Sequence, residues 1–298
     1  MIEVLDLHFF KDHTIASFLV KTSEGPVLIE TGPDTVWDNL KKSLKEHGYE
    51  PSDVRNVLLT HIHFDHAGGA WHLAREGATI HVHSKGASHM ASPEKLWQSA
   101  KRIYGDDMDR LWGKMEPIPE KQIHIVEDSD RLEFGDVEIE AHYTPGHAQH
   151  HLAYRLEDVV FTGDVGGVRI GGKSVVPPCP PPDINVELWK ESIKRLREIN
   201  PNTLYPTHFG CYQNVGEHLD QLEANLRLYA GEIKSYLQKG YDQEEMLSRF
   251  KIFVREHLIE DGLDEDELEQ YEIANPVYMS VTGLARYWKK FHPETISS

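Results

Sequence analysis

The chain has 298 residues, with 31 Lys and Arg against 49 Asp and Glu and a net charge of −18 with His neutral. That length buries a substantial core, and the acidic balance argues against nucleic acid or an anionic membrane surface as the main partner, since both demand clustered cations. The two cysteines, Cys179 and Cys211, form no Cys-x-x-Cys pair, so neither a disulfide scaffold nor a thiolate zinc site is expected, and a reducing compartment suits the chain. No apolar run approaches a membrane span, and the first residues lack the basic-then-apolar pattern of a signal peptide. A cytoplasmic protein acting on a small molecule is the expectation.

Residues 2–10 and 14–20 read as strands, followed by a turn at Ser23-Glu-Gly25 and a third strand over 26–29. Glu30-Thr-Gly-Pro33 turns the chain, and Asp34 or Thr35 is placed to cap a helix with Val36, Leu40 and Leu44 on one face, ended by Gly48. Val57 to Thr60 is apolar and β-prone, a short buried strand. It runs into His61-Ile-His63-Phe-Asp65-His66, with Gly68 and Gly69 allowing a sharp turn. Alternate positions on an extended backbone point the same way, so His61 and His63 can converge on one point. Asp65 and His66 follow as the chain bends and can face a second point nearby. Imidazole nitrogen and carboxylate oxygen are the donors that Zn²⁺ and similar borderline metals prefer.

A helix from about residue 66, a strand over 78–82 and a mixed segment over 93–115 follow. Trp97, Tyr104 and Trp112 make that segment aromatic, which fits a helical insertion packed on the core or the wall of a pocket. Residues 137–143 alternate as a half-buried strand that ends in Thr144-Pro-Gly-His147, with His150 and His151 just beyond. Strands over 152–155 and 159–161 come next, the second ending in Thr162-Gly-Asp164. Pro177-Pro-Cys-Pro-Pro-Pro182 cannot be helix and reads as a stiff extended connection. A helix over 186–199 leads to a strand over 203–205, which closes in Pro206-Thr-His208. Several strands therefore end in His or Asp, on the kind of loop where a rigid sheet carries its site.

From about residue 215, Leu219, Leu222, Leu226, Ile233 and Leu237 recur at helical spacing. A second helix carries Met246, Phe250, Val254 and Leu258, residues 262–267 form an acidic turn or helix start, and Val281, Leu284, Ala285 and Trp288 mark a final helix. The expected division is a metal-binding catalytic domain over 1–214 and a C-terminal helical region over 215–298, serving as pocket lid, dimer contact or both.

Taken together, His61-x-His63-x-Asp65-His66, Thr144-Pro-Gly-His147, Thr162-Gly-Asp164 and Thr207-His208 resemble, in order and spacing, the metallo-β-lactamase-fold hydrolases over roughly residues 1–212. The resemblance implies an α/β fold, the αββα sandwich of two mixed β-sheets flanked by helices, with a dinuclear metal site on one edge. By position it implies that His61, His63 and His147 hold one metal, that Asp65, His66 and His208 hold the second, and that Asp164 bridges both. Zinc is the first expectation for the two divalent ions, and iron or manganese fits the same donors. Such a pair lowers the pKa of a shared water towards ~7 and yields a bridging hydroxide. Asp65 is then either the catalytic proton acceptor or a plain ligand.

His150 and His151 are expected to orient their neighbours by hydrogen bonds rather than to ligate. His81 and His83, alternating on a predicted strand, are expected to be exposed or satisfied in the core, and Cys211 and Tyr212 to pack in it. Glu30 stands where the family usually has Asp before Thr-Gly, which leaves the support of the ligands open. His63 occupies the position that resembles a Glu in the flavodiiron redox branch, which favours hydrolysis, and the net charge disfavours a nuclease. The C-terminal region resembles that of glyoxalase II and related thioesterase-like members. There Arg286-x-x-Lys289 is similar to basic residues that bind the thiol carrier, or is a solvated face. The stretch after Asp164 departs from the glyoxalase II continuation. The expectation is a dinuclear metal-dependent hydrolase of a small ester, thioester or lactone. The alternatives are a phosphodiesterase on a small substrate, or a regulatory or binding protein that keeps the metal site with little turnover.

Overall fold

Two sheets stack face to face in the computed structural model, which describes residues 1–296. The first runs in the order β1 (Ile2–Asp6), β2 (Ala16–Thr22), β3 (Gly25–Ile29), β4 (Asn56–Leu58), β5 (Thr79–His83) and β6 (Ile123–Val126). Its first three strands pair antiparallel and the rest parallel. The second sheet holds β7 (Arg131–Phe134), β8 (Val137–Tyr143), β9 (Leu152–Leu156), β10 (Val159–Phe161) and β11 (Thr203–Tyr205), antiparallel except for β10 with β11.

Period-two alternation makes the layers. On β2, Phe18 and Val20 point between the sheets and join Phe134, Ile139, Tyr154 and Phe161 from the second sheet. Leu19 points the other way, into a cluster with Leu28, Leu40 and Leu44 under α1 (Trp37–Glu46). That outer face is also covered by α2 (Phe64–Ala67), α3 (Ala70–Arg75), α4 (Ser84–Ala91), α5 (Glu94–Tyr104) and α6 (Met108–Trp112). Behind the second sheet, Val160 and Leu204 meet Trp189 of α7 (Val186–Ile199) and Leu222 of α8 (Val215–Gln238). The same cluster continues through Phe250 of α9 (Gln243–Glu260), Tyr271 of α10 (Glu265–Ala274) and Leu284 of α11 (Val277–Phe291). Each such fully buried side chain contributes roughly 1.5–3 kcal/mol. The result is the αββα sandwich with helices appended at its C-terminal side. Among the described residues no helix is long and apolar enough to cross a membrane.

Local hydrogen bonding moves several boundaries from their expected places. β1 stops at Asp6 because its carboxylate accepts the backbone N–H groups of His8 and His13, each at 2.9 Å, and turns the chain. Asp34 and Thr35 do not cap α1. Asp34 accepts from His72 Nε2 (2.6 Å) and the Lys114 backbone N–H (2.8 Å), while Thr35 donates to the Leu111 carbonyl (2.9 Å). These bonds to distant partners hold the segment of α5 and α6 onto the body and outcompete the local cap. The helix expected near residue 66 begins at Phe64 and is broken at Gly68 and Gly69 before α3. α4, β6 and β7 lie where the sequence pattern gives no expectation. β6 exposes His124 and Ile125 together, so it lacks the alternation that marks a strand.

One close approach fixes the C-terminal helices to the body. α11 packs so tightly on the proline run that a Cβ on Gly283 would lie 2.0 Å from the Cys179 carbonyl oxygen. Gly231, in the interior of α8, has nothing within 4 Å of the same position. Gly283→Ala is therefore expected to destabilise by about 1–3 kcal/mol through overpacking. Gly231→Ala is expected to stabilise by roughly 0.5–1 kcal/mol through helix propensity. Urea unfolding of the two variants should shift in opposite directions; equal shifts would refute the packing account.

Candidate metal centre

Every ligand-type residue of the sequence patterns leaves the C-terminal end of a strand. β4 runs on through Leu59 and Thr60 into His61; β8 leads to His147, β10 to Asp164 and β11 to His208. Backbone bonds between the sheets stitch these ends together: Leu152 N–H to the Thr60 carbonyl at 2.7 Å and Ala16 N–H to the Thr207 carbonyl at 2.8 Å. Two adjacent donor groups result. His61, His63 and His147 bring nitrogens within 4.8 Å of one another, and Asp65, His66, Asp164 and His208 bring nitrogens and carboxylate oxygens as close.

The hydrogen bonds on the far side of each ring fix which nitrogen carries the proton. His147 Nδ1 lies 2.8 Å from the Pro178 carbonyl and His208 Nδ1 lies 2.7 Å from the Thr14 carbonyl, so both must donate there. His66 Nδ1 faces Glu30 Oε1 at 3.1 Å and donates likewise. The Thr60 hydroxyl gives its hydrogen to Glu30, which leaves it to accept from His61 Nδ1 at 3.0 Å. In the neutral rings each Nε2 is therefore a bare lone pair, and all four point inward. His61 Nε2 and His147 Nε2 both sit 3.0 Å from His63 Nδ1, which has at most one hydrogen to share. His66 Nε2 and His208 Nε2 lie 3.1 and 3.4 Å from Asp164 Oδ1, acceptor against acceptor while the rings are neutral, and none of these three buried atoms finds a hydrogen bond. Lone pairs converging from imidazole and carboxylate, each ring braced by a donated N–H on its outer side, are what a divalent cation satisfies. The donor set fits such ions.

Electrostatics divides the two groups. Burial pushes the His61 imidazole well down, aided by repulsion from His66 and His63, and His63 falls to about 4 through burial and His147. His147 is lowered for the same first reason. His66 and His208 go the other way: burial alone would lower them, but Asp164 and Asp65 raise both. Burial raises the Asp65 carboxyl, yet His66 and His208 outweigh it and hold the group at about 2. Asp164 is buried, whereas Asp65 keeps 21% of its side chain exposed and faces the cavity.

The remaining expectations divide. His151 lies outside the donor groups and is held by Thr144 Oγ1 (2.9 Å) and the Val165 N–H (3.3 Å); His150 accepts weakly from the Ile62 N–H and lines the cavity. His81 and His83 are buried, meeting Asn56 and the Lys85 backbone N–H. Tyr212 is half-buried and donates to the Arg169 carbonyl at 2.6 Å, but Cys211 is exposed rather than in the core, since Tyr212 bridges to Leu204 and the neighbouring side chain points to the other face. Glu30 replaces the family's usual Asp at a left-handed φ of 65°, and from there its longer side chain reaches both Thr60 and His66. Arg286 turns to the Pro182 carbonyl, and neither it nor Lys289 lines the cavity. The carbonyls of Thr14 and Pro178 escape sequence reading because backbone atoms carry no residue-type signal.

The family model of the metallo-beta-lactamase superfamily matches residues 11–208. The chain is 32% identical over 172 residues to the metallo-beta-lactamase fold-containing protein ST1585 of Sulfurisphaera tokodaii, covering 56% of this chain and 65% of that protein. It is 26% identical to an atrochrysone carboxyl ACP thioesterase of Aspergillus fumigatus, over 69% of this chain and 54% of the relative. It is 27% identical to an N-acyl homoserine lactonase of a Bacillus species, over 66% and 78%. Of the first of these relatives, ST1585 and the thioesterase, the chain thus spans between 54% and 65% of their own length. The structure of the metallo-beta-lactamase family protein TTHA1429 from Thermus thermophilus covers 97% of this chain and 93% of its own, with a TM-score of 0.73 at 19% identity, which shows the fold alone. A family match that begins before β2 and ends at His208 takes in every strand end described above, and the chain belongs to the metallo-beta-lactamase superfamily.

Proposed function

We propose that the chain is a metal-dependent hydrolase of acyl esters, thioesters foremost and lactones next, that binds two divalent ions, zinc by preference. His61, His63 and His147 would hold one ion, Asp65, His66 and His208 the other, with Asp164 between them. The observation that carries this reading is the convergence of His66 Nε2, His208 Nε2 and Asp164 Oδ1, buried and without a hydrogen-bond partner, beside the nitrogens of His61, His63 and His147. The relatives named as a thioesterase and a lactonase support acyl transfer to water as the reaction class.

When bound, such an ion pair supplies a water acidified towards ~7 and an electrophile for the acyl oxygen. The residues of the chain do the rest. Asp65 is the more exposed of the two donor-group carboxylates that reach the cavity, which places it to orient a water and to take part in moving its proton. Water adds to the acyl carbon, the carbon–sulfur bond breaks, and the proton given up by water leaves with the thiolate as thiol. Glu30 holds His66 and, through Thr60, His61, so one carboxylate orients a ring in each donor group.

Protein purified with zinc should carry about two ions per chain and hydrolyse acyl thioesters, with His61→Ala losing at least ~100-fold in kcat/KM. Turnover of bis-p-nitrophenyl phosphate without any acyl turnover would overturn the reading, as would two bound ions with turnover of neither.

Acid should strip the ions in two steps. Protons compete for His66 and His208, whose pKa values are raised, at a higher pH than for His63, held at about 4. Zinc content measured after equilibration at falling pH should drop first from the Asp65–His66–His208 group and only at lower pH from the His61–His63–His147 group, as ligand protonation opposes metal binding. A single midpoint for both ions would contradict this.

Glu30→Ala should weaken zinc binding by roughly 10–100-fold, the usual effect of removing a group that braces a ligand. Chelator competition measures it; unchanged affinity would mean Glu30 is not the brace.

A further inference from the structure

Resting on the hydrolase reading, we infer that the substrate is an anionic amphiphile: a thioester of a bulky apolar acid on a phosphate-bearing carrier. The donor groups open into a cavity of about 1190 Å³, at or above the upper end for drug-sized ligands and far beyond a short ester. His63, Asp65, Asp164 and His208 form part of its lining. The apolar part of its wall comes from two directions. Phe9, Phe64 and Trp112 line one side, and Ile273 and Met279, flanking the turn from α10 to α11, line another. Phe9 and Trp112 stack with ring centroids 5.7 Å apart at 9°, a rigid apolar pair against which an acyl chain can pack. Phe10 and Ile103 also line the cavity yet remain 52% and 37% exposed, as residues at an apolar mouth would. Gly283 seats α11 on the proline run, so that wall is fixed.

Lys85, Lys95, Arg102 and Arg110 are the lysines and arginines of the lining, and two of them lie on α5. Lys95, Gln98, Ser99 and Arg102 all line the cavity at helical spacing, one face of that helix. Neither Lys95 nor Arg102 pairs with any carboxylate among the described residues, in a chain of net charge −18. The acids on the cavity wall are mostly engaged: Asp107 pairs with Arg110, Glu269 with Lys11, Asp183 accepts from Gln149, and Glu272 accepts the Val277 N–H. Glu94, at the start of α5, stands unpaired. An anion over Lys95 and Arg102 therefore meets two cations free to receive it, while its apolar part leaves water for the aromatic wall.

Tryptophan fluorescence titrated with butyl phosphate and dodecyl phosphate tests this without turnover. Dodecyl phosphate should bind at least about a hundredfold more tightly, since each buried methylene is worth roughly a fourfold gain. Lys95→Ala with Arg102→Ala, both on an exposed helix face where Ala is a better helix former, should weaken its binding by about fivefold and flatten the salt dependence. Equal affinity for the two chain lengths, or an unchanged double variant, overturns the inference. In turnover, the dodecanoyl thioester of phosphopantetheine should exceed in kcat/KM both its acetyl counterpart and the dodecanoyl thioester of uncharged pantetheine by at least about tenfold. Equal turnover of all three would sink the inference and leave the hydrolase reading standing. Turnover of none, with two zinc bound, would sink the hydrolase reading, and the fluorescence result alone would then decide whether the cavity takes anionic amphiphiles.

Discussion

Buried acceptors that face one another are the constraint around which this molecule is arranged. His66 Nε2 and His208 Nε2 lie 3.1 and 3.4 Å from Asp164 Oδ1, and none of the three buried atoms finds a hydrogen-bond partner. A buried polar atom without a partner costs about 1–3 kcal/mol, and more when charged. Such an arrangement persists only if the surrounding structure over-determines each ring, and here it does. Every inward imidazole of the two donor groups whose proton is fixed is held from behind, by Thr60, Glu30, Pro178 or Thr14. The same bonds that force the lone pairs inward make the site ready for cations.

The sandwich supplies that bracing at little entropic cost, because the site sits where the two sheets are sewn together. Leu152 and Thr60, like Ala16 and Thr207, join the sheets by backbone bonds directly beside the ligand-type residues. Phe18, Tyr154 and Phe161 fill the space behind them. Loops leaving such a core are short and anchored at both ends, so the rings they carry have few alternative positions.

What the site acts on is shaped by parts that carry no ligand. α5 and α6 are tied to the body through Asp34 and Thr35, and α11 is seated on the proline run at Gly283. Together they raise walls over a centre that would otherwise open to solvent. Helices added to a sandwich thus act on function by deciding the size, polarity and charge of the cavity, while the strand ends decide its chemistry.

The sequence by itself determined the order of strand ends that carry ligand-type residues, and through them the resemblance that implied the sandwich and the seven residues that meet in the two donor groups. It could do so because His61-x-His63-x-Asp65-His66 is local and each remaining residue follows a β-prone run. It also pointed to helices over 186–199 and beyond 215, where apolar spacing is strong. Tertiary structure alone decided the rest. Asp34 reads as a cap and serves instead as a tie, because His72 and Lys114 reach it from elsewhere in the chain. Cys211 reads as core and is exposed, because Tyr212 bridges to Leu204 and the neighbouring side chain points to the other face. Glu30 reads as a departure and proves to be the carboxylate that holds His66, since the added methylene and a left-handed backbone bring it there. The proton positions on the rings depend on carbonyls of Thr14 and Pro178, and the cavity on helices from both ends of the chain. Residue type and local spacing are written in a sequence; which distant backbone atom a side chain meets is set only when the chain packs.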